Sequence, residues 1–478
     1  MAFTGDQLVA LMIHLSWLSL LLLVGKLLRA RLRFLQRLFL PASILGGFLG
    51  LALGPYVLGA TGIQIMPPEM LTTWAALPGV LINVVFACLF LGLTIPGPGA
   101  IWREGGPQFC YGWMVGMGQY LVGVGLSMLV LAPLFGVPDF FGCLLEIGFS
   151  GGHGTAAGMR EAFQELDFAA GADLGLMSAT IGIVSAVVFG MVMINLAARR
   201  GYTEVITSPD KIPEETLSGL IPEDRRPATG RITVSPDAIE PFAFHLAIVG
   251  LAILIGWFLL AGIKSLSAGR EPDLFRSFPL FPLAMLGGLI VQVLASKVGL
   301  STYFDRATFS RILGFALDFL VVAAISAIRL DVVVAFFWPF TILMLSGLAW
   351  ILFATWFLAP RMLPDAWFER AITEYGMQTG VTAMGLLLLR VADPHFDTPA
   401  AKAFGFKQIV YEPFMGGGFI TAAAPLLIFH YGTGPALAVG AGSMLLVLGI
   451  AYGSGWLRWT RPAAREKQKT LASAPGDS

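Results

Sequence analysis

Apolar stretches of about twenty residues recur from one end of this chain to the other, separated by short polar segments, as in the opening run LVALMIHLSWLSLLLLVG. Each is long enough to cross about 30 Å of hydrocarbon as a helix. A closed β-barrel would need strands of alternating hydrophobicity, so unbroken runs leave helices as the spanning element. With 56% hydrophobic and 13% charged residues among 478, the chain has a bilayer as its solvent. Its 30 basic and 30 acidic residues cancel, which argues against a nucleic-acid partner. Cys88, Cys110 and Cys143 fall in apolar segments and form an odd set, so no disulfide framework is expected. The start MAFTGDQLVA lacks the basic segment of a cleaved signal and leads into what reads as a first retained span.

Hydropathy places spans near 7–28, 39–58, 75–94, 108–135 and 174–198, then near 240–262, 277–296, 309–330, 332–358 and 406–430. One extra span follows near 434–457. Between the fourth and fifth spans of each half lies an apolar stretch broken by glycine and polar residues, near 139–166 and 363–391. The arms of these stretches are too short to cross and read as re-entrant hairpins. An N-terminus outside puts 25 of the 30 Lys and Arg on the cytoplasmic side, including Lys26, Arg29, Arg31, Arg33, Arg37 and the tail with Arg461, Arg465, Lys467 and Lys469. Arg160, Lys264, Arg270, Arg276 and Arg329 remain outside.

Five spans is an odd number, so the second half starts on the opposite face and the halves are inverted. The first tip, near residue 153, lies 146 residues after residue 7, and the second, near 379, lies 139 residues after 240. That spacing is the signature of a transporter repeat whose tips meet near the midplane. The fold expected is an all-α integral membrane protein of two inverted five-helix repeats, each with a re-entrant hairpin, plus one extra C-terminal transmembrane helix. Residues 1–198 and 240–430 are the repeats, 199–239 a cytoplasmic linker, and 431–478 the extra helix with a basic tail.

The strongest local signal is Ser150-Gly151-Gly152-His153-Gly154-Thr155. Three glycines in five residues break a helix, and backbone broken inside a membrane must find partners in protein, water or ligand. N–H groups after the break suit a carboxylate, and carbonyls before it suit a sodium ion. A glycine-lined packing hinge is the bland alternative. The second tip, Glu374 to Gly385, repeats the recipe with Gly376, Gly380 and Gly385 and with Gln378, Thr379 and Thr382. His153 reads as a substrate ligand, a proton-coupling group or a packed core histidine. Asp318, central in its span, needs a partner, water or a cation, as do Glu146 and Glu412 nearer span ends, so Asp318 and Glu412 with tip carbonyls are candidate sodium ligands. Asn83, Gln119 and Asn195 read as bonds between helices.

Gly148-Phe149-Ser150-Gly151-Gly152 also matches the nucleophile pattern of serine hydrolases, which keeps an intramembrane serine hydrolase using Ser150 as a rival. His14, His245, His395 and His430 lie near span ends or in a loop, poorly placed for a buried base. That reading leaves the second tip without a purpose.

The run SGGHGTAAG, the SATIGIV stretch, Pro41 with Gly46 and Gly47, and TGVTAMGLLLLRVADP resemble the bacterial sodium/glutamate symporter family over most of residues 7–430. The resemblance implies two inverted halves with re-entrant loops, sodium-coupled uptake of glutamate at the bacterial inner membrane, substrate contacts at both tips, no organic cofactor, and a homodimer. Gln378, Asp318 and the extra span depart from the family pattern. A transporter of another organic anion and a proton-coupled exchanger using His153 are the alternatives of the same class.

Overall fold

The computed structural model describes residues 4–37, 40–205, 220–269, 275–394 and 396–458. Arg270, His395, Arg461, Arg465, Lys467 and Lys469 lie outside them, as does linker segment 206–219. Among the described residues there is no β-strand.

α1 (Gly5–Arg31) starts at a capping box, with Gln7 N–H donating to Thr4 Oγ1 at 3.3 Å and Thr4 N–H to Gln7 Oε1 at 3.1 Å. α2 (Ala42–Leu53) stops at Gly54-Pro55, and α3 (Pro68–Ala87) and α4 (Pro98–Phe135) each start on a proline, whose missing N–H has no bond to lose in a first turn. There follow α5 (Leu144–Phe149), α6 (Gly152–Gly158), α7 (Arg160–Glu165) and α8 (Gly171–Arg199). After the linker come α9 (Pro241–Ser267), α10 (Phe281–Lys297), α11 (Arg306–Ser326) and α12 (Phe337–Met362). The chain ends with α13 (Trp367–Ala392), α14 (Ala400–Tyr411), α15 (Phe419–Tyr431) and α16 (Thr433–Gly453). Eight of the described helices are long and apolar enough to cross a membrane, and α2, α10 and α15 are shorter apolar helices.

Three elements differ from the hydropathy reading. The second span, expected over 39–58, is the shorter α2, which stops before Gly54-Pro55. The third span, expected over 75–94, is α3 and ends at Ala87. Beyond it Arg306 Nη1 donates to the carbonyls of Cys88, Leu89 and Leu91 at 3.0, 3.0 and 2.9 Å, so an arginine satisfies a turn that hydropathy counts as helix. The span expected over 406–430 is interrupted: α14 and α15 are separated at residues 412–418, where Gly416 and Gly417 have φ of 69° and 102°. Pro413 and three consecutive glycines carried that signal.

Each hairpin follows a helix with a widened turn, Ser127–Leu131 in α4 and Ala354–Leu358 in α12. Both turns run into the same triplet, Leu131-Ala132-Pro133 and Leu358-Ala359-Pro360. Proline lacks the N–H and presses on the carbonyl four residues back, which a π-turn relieves. After α4 the chain folds back on itself. Phe140 stacks on Phe163 at 6.5 Å and Phe141 meets Phe168 at 6.0 Å, so the outer ends of the two arms lie together and the turn falls at Ser150–Gly152. α13 folds back likewise at Gly380 (φ −151°, ψ 36°) and Val381 (φ 61°, ψ 172°), with Gly376 packed on Met384 and Gly385.

Packing sorts the helices into two groups. α1, α2, α3, α9, α10 and α11 form one, with α1 crossing α2 at Gly25 and Gly46 and α9 crossing α10 at Gly256 and Gly287. α4, both hairpins, α8, α12, α14, α15 and α16 form the other. The groups meet chiefly along α6, where Gly154 touches Ile82 and Leu320 and Gly158 touches Phe281. The corresponding second arm of α13 leaves Ala383, Leu386 and Arg390 exposed.

Candidate functional site

Three interruptions of helix meet inside the second group. At the first tip Gly152 has φ 75°, and a Cβ added there would fall 2.5 Å from Val381 Cγ1 of the second tip. Val381 itself holds a positive φ that a β-branched residue rarely adopts, so both tips are shaped by their contact. The third interruption stands beside them, with Gly416 packed against Ser150 and Met377, and Gly417 against Thr155 and Phe86.

Around this meeting point lie Ser150, Gly151, Gly152 and Thr155 of the first hairpin, and Gln378 and Thr382 of the second. Ser150 and Gly151 N–H both donate to Glu146 O, at 3.1 and 2.9 Å, and the Thr155 hydroxyl donates to Gly151 O at 2.9 Å. Thr382 Oγ1 donates to Glu412 Oε1 at 2.8 Å, and Gln408 Nε2 reaches the same carboxylate oxygen at 2.8 Å. Gln378 Nε2 reaches Glu374 Oε1 at 2.9 Å and Tyr411 Oη at 2.8 Å, while Gln119 Nε2 donates to Gln378 Oε1 at 2.8 Å.

Other expected residues face away from this meeting point. His153 Nε2 lies 2.9 Å from Thr180 Oγ1 on α8. Since that hydroxyl donates to Leu176 O at 3.0 Å, it accepts from an Nε2–H imidazole. Gly154 packs on α3 and α11, Gly380 on Ala186, and Thr379 Oγ1 donates to Tyr375 O at 2.7 Å. Asp318 lies on an exposed face of α11 beside Ser43. Leu320, about 200° round the helix from it, is what touches the first tip. Glu412 accepts its hydrogen bonds with no basic side chain within 4.0 Å among the described residues. No cluster of three or more His, Cys, Asp or Glu at metal-ligating spacing occurs among the described residues.

Two buried groups were missed as site residues. Glu146, fully buried, accepts at Oε1 from Gly416 N–H (2.7 Å) and the Thr421 hydroxyl (3.0 Å), and at Oε2 from the Tyr120 hydroxyl (2.7 Å). It thereby ties the first hairpin to the third interruption. Lys407, which the charge count placed on the cytoplasmic side, is instead fully buried and paired with the fully buried Glu374 at 2.9 Å. A lysine inside an apolar run was the available signal. Ser150 has no histidine partner among the described residues: its Oγ donates to Met377 Sδ at 3.9 Å, and the nearest histidine in sequence is held by α8. A nucleophile needs a base within reach, so the serine-hydrolase arrangement is not assembled here.

A family model described as "Sodium/glutamate symporter" matches residues 8–366. The match ends one residue before α13, so residues 367–430, over which the sequence also resembles that family, lie beyond it. No curated protein matches the chain significantly.

Proposed function

Because this chain belongs to the sodium/glutamate symporter family, it is a sodium-coupled membrane transporter rather than an enzyme, and we propose that glutamate binds where its two hairpin tips and the third helix interruption meet. The observation that carries this is the contact of Gly152 with Val381 beside Gly416 and Gly417. In an apolar bundle, backbone that leaves helical geometry needs polar partners, and a dicarboxylate supplies acceptors for its N–H groups. Ser150 and Thr155 add hydroxyls, while Gln378 and Thr382 shape the second wall. Glu412, with hydrogen bonds but no bonded cation, is the better of the two expected sodium ligands; Asp318, facing Ser43, is the poorer.

The same proposal takes residues 1–198 and 240–430 as inverted repeats. Its support is the recurrence of the Leu-Ala-Pro triplet ahead of each hairpin, the paired glycine crossings of α1 with α2 and α9 with α10, and the exchange by which α2 packs on α11 and α10 on α3. The N-terminus lies outside, the 199–239 linker and the C-terminal tail lie in the cytoplasm of a bacterium, and the inner-membrane protein assembles as a homodimer. Alternating access moves the hairpin-bearing group against the other. On that orientation, α6 packed on α3 and the uncovered second arm of α13 support a state closed outside and open toward the cytoplasm.

Uptake of labelled glutamate into proteoliposomes is expected to be concentrative under an inward sodium gradient and to stop when the gradient is collapsed. Gradient-driven uptake of a different carboxylate, with none of glutamate, would keep the transporter and replace its substrate.

A further inference from the structure

The partners of Lys407 all lie beyond the region matched by the family. From α14, just ahead of the third interruption, its ammonium donates to Glu374 Oε1 at 2.9 Å and Gln408 Oε1 at 2.8 Å. It also lies 3.7 Å from Met377 Sδ, 3.5 Å from the centroid of the Tyr411 ring and 5.5 Å from that of Phe404. Every one of these partners is an acceptor or the negative face of a ring. An ammonium placed to grip a substrate carboxylate needs an N–H turned toward open space, and this fully buried one has its donors occupied. The surroundings are those of a small cation: a carboxylate, an amide oxygen and a ring face closing on one positive charge.

Resting on the sodium-coupled reading above, we propose that the Lys407 ammonium is a tethered cation, filling between the second tip and the third interruption a place that a sodium ion would otherwise take. The protein then carries one sodium fewer per substrate than it would with that place vacant. A charged Glu374 in apolar surroundings needs a positive partner, and with Lys407 removed a sodium ion or a proton would have to supply it. The cage also touches both elements of the site. Gln378 of the second tip donates to the same Glu374 oxygen, and Gln408 donates to Thr382 at 2.6 Å and to Glu412. A charge held there fastens the second hairpin to α14 whether or not sodium is present.

The test compares full-length wild type with Lys407→Ala, with Lys407→Ala/Glu374→Gln, and with Lys407→Arg. Sodium-to-substrate stoichiometry is read from reversal potentials in proteoliposomes, and the shift of Tm by sodium against choline is read in detergent without substrate. Lys407→Ala is expected to gain one sodium per cycle and a larger sodium-dependent rise in Tm than wild type. The paired variant, with no buried charge left to neutralise, is expected to lose that extra rise, and Lys407→Arg to keep the wild-type stoichiometry. Wild-type stoichiometry and Tm response in Lys407→Ala overturn the proposal, as does a gain of one sodium in Lys407→Arg. Should Lys407→Ala fail to transport, its Tm response decides. Failure to recover it even in sodium, while the paired variant is recovered, marks an ordinary structural ion pair and also overturns the proposal. A wild type without sodium-driven uptake would instead count against the functional reading, since the Tm comparison involves no transport.

Discussion

Gly152 and Val381 show how narrowly the tips are specified. Alanine at φ 75° is disfavoured by about 1–2 kcal/mol, and its Cβ would collide with Val381. Since about 1.4 kcal/mol is a factor of ten, Gly152→Ala is expected to lower uptake at least tenfold, and Val381→Gly in the same chain to restore part of it. Full uptake by Gly152→Ala would separate the tip contact from transport. Asp331, outside the spans, is a contrasting case. A 2.8 Å bond from Arg329 holds its carboxyl down to about 2. A lowered folded-state value means that any contribution of this exposed pair is complete above about 3.9 and fades only as pH falls through about 2. Asp331→Asn should therefore leave the pH profile of uptake between about 5 and 8 unchanged. A changed profile would show that the group acts on something other than Arg329.

Among the elements, the interruption between α14 and α15 depends on a carboxylate from another segment. Glu146 receives three donors, from Gly416, Thr421 and Tyr120, and each buried donor left unpaired costs about 1–3 kcal/mol. Glu146→Ala strands all three, whereas Tyr120→Phe removes one donor and leaves the other two bonded. The Tm of Glu146→Ala is thus expected to fall well below that of Tyr120→Phe, and equal losses would mean that the carboxylate does not organise the interruption. α16 has a comparable bridging role. Thr433, its first residue, donates to Asp139 at the base of the first hairpin at 2.9 Å, and Arg458 N–H, just past it, donates to Arg361 O ahead of the second at 2.8 Å. The extra helix belongs to the hairpin-bearing group and packs on α4, where Trp113 Nε1 donates to Ser443 Oγ at 3.2 Å.

For the whole molecule, the two hairpins are unevenly covered, and the proposed orientation turns that difference into a labelling test. Cys88, Cys110 and Cys143 are buried, so single cysteines can be introduced against a quiet background. A cysteine at Ala383, which is exposed, should react with an impermeant thiol reagent from the cytoplasmic side, while one at Gly154, packed on Ile82 and Leu320, should be protected. Reaction of position 383 from the outside alone would reverse the assigned orientation, and ready reaction at 154 would remove the closed outer side.

Hydropathy alone was enough to locate most of the long apolar helices, including Thr433–Gly453, and glycine content to mark SGGHGT and MQTG as places where helix breaks, because these depend on chain-local quantities: the length of an apolar run and the freedom of its backbone. The broken α14–α15 helix was legible in Pro413 and its glycines but was outweighed by the apolar run around it. Which polar residues face one another depended on the fold. His153 meets Thr180 across 27 positions and Lys407 meets Glu374 across 33, while Glu146 meets Gly416 across 270. A buried charge is bound by whatever partner the packing brings within about 3 Å, and that choice is made by helices crossing, not by neighbours along the chain.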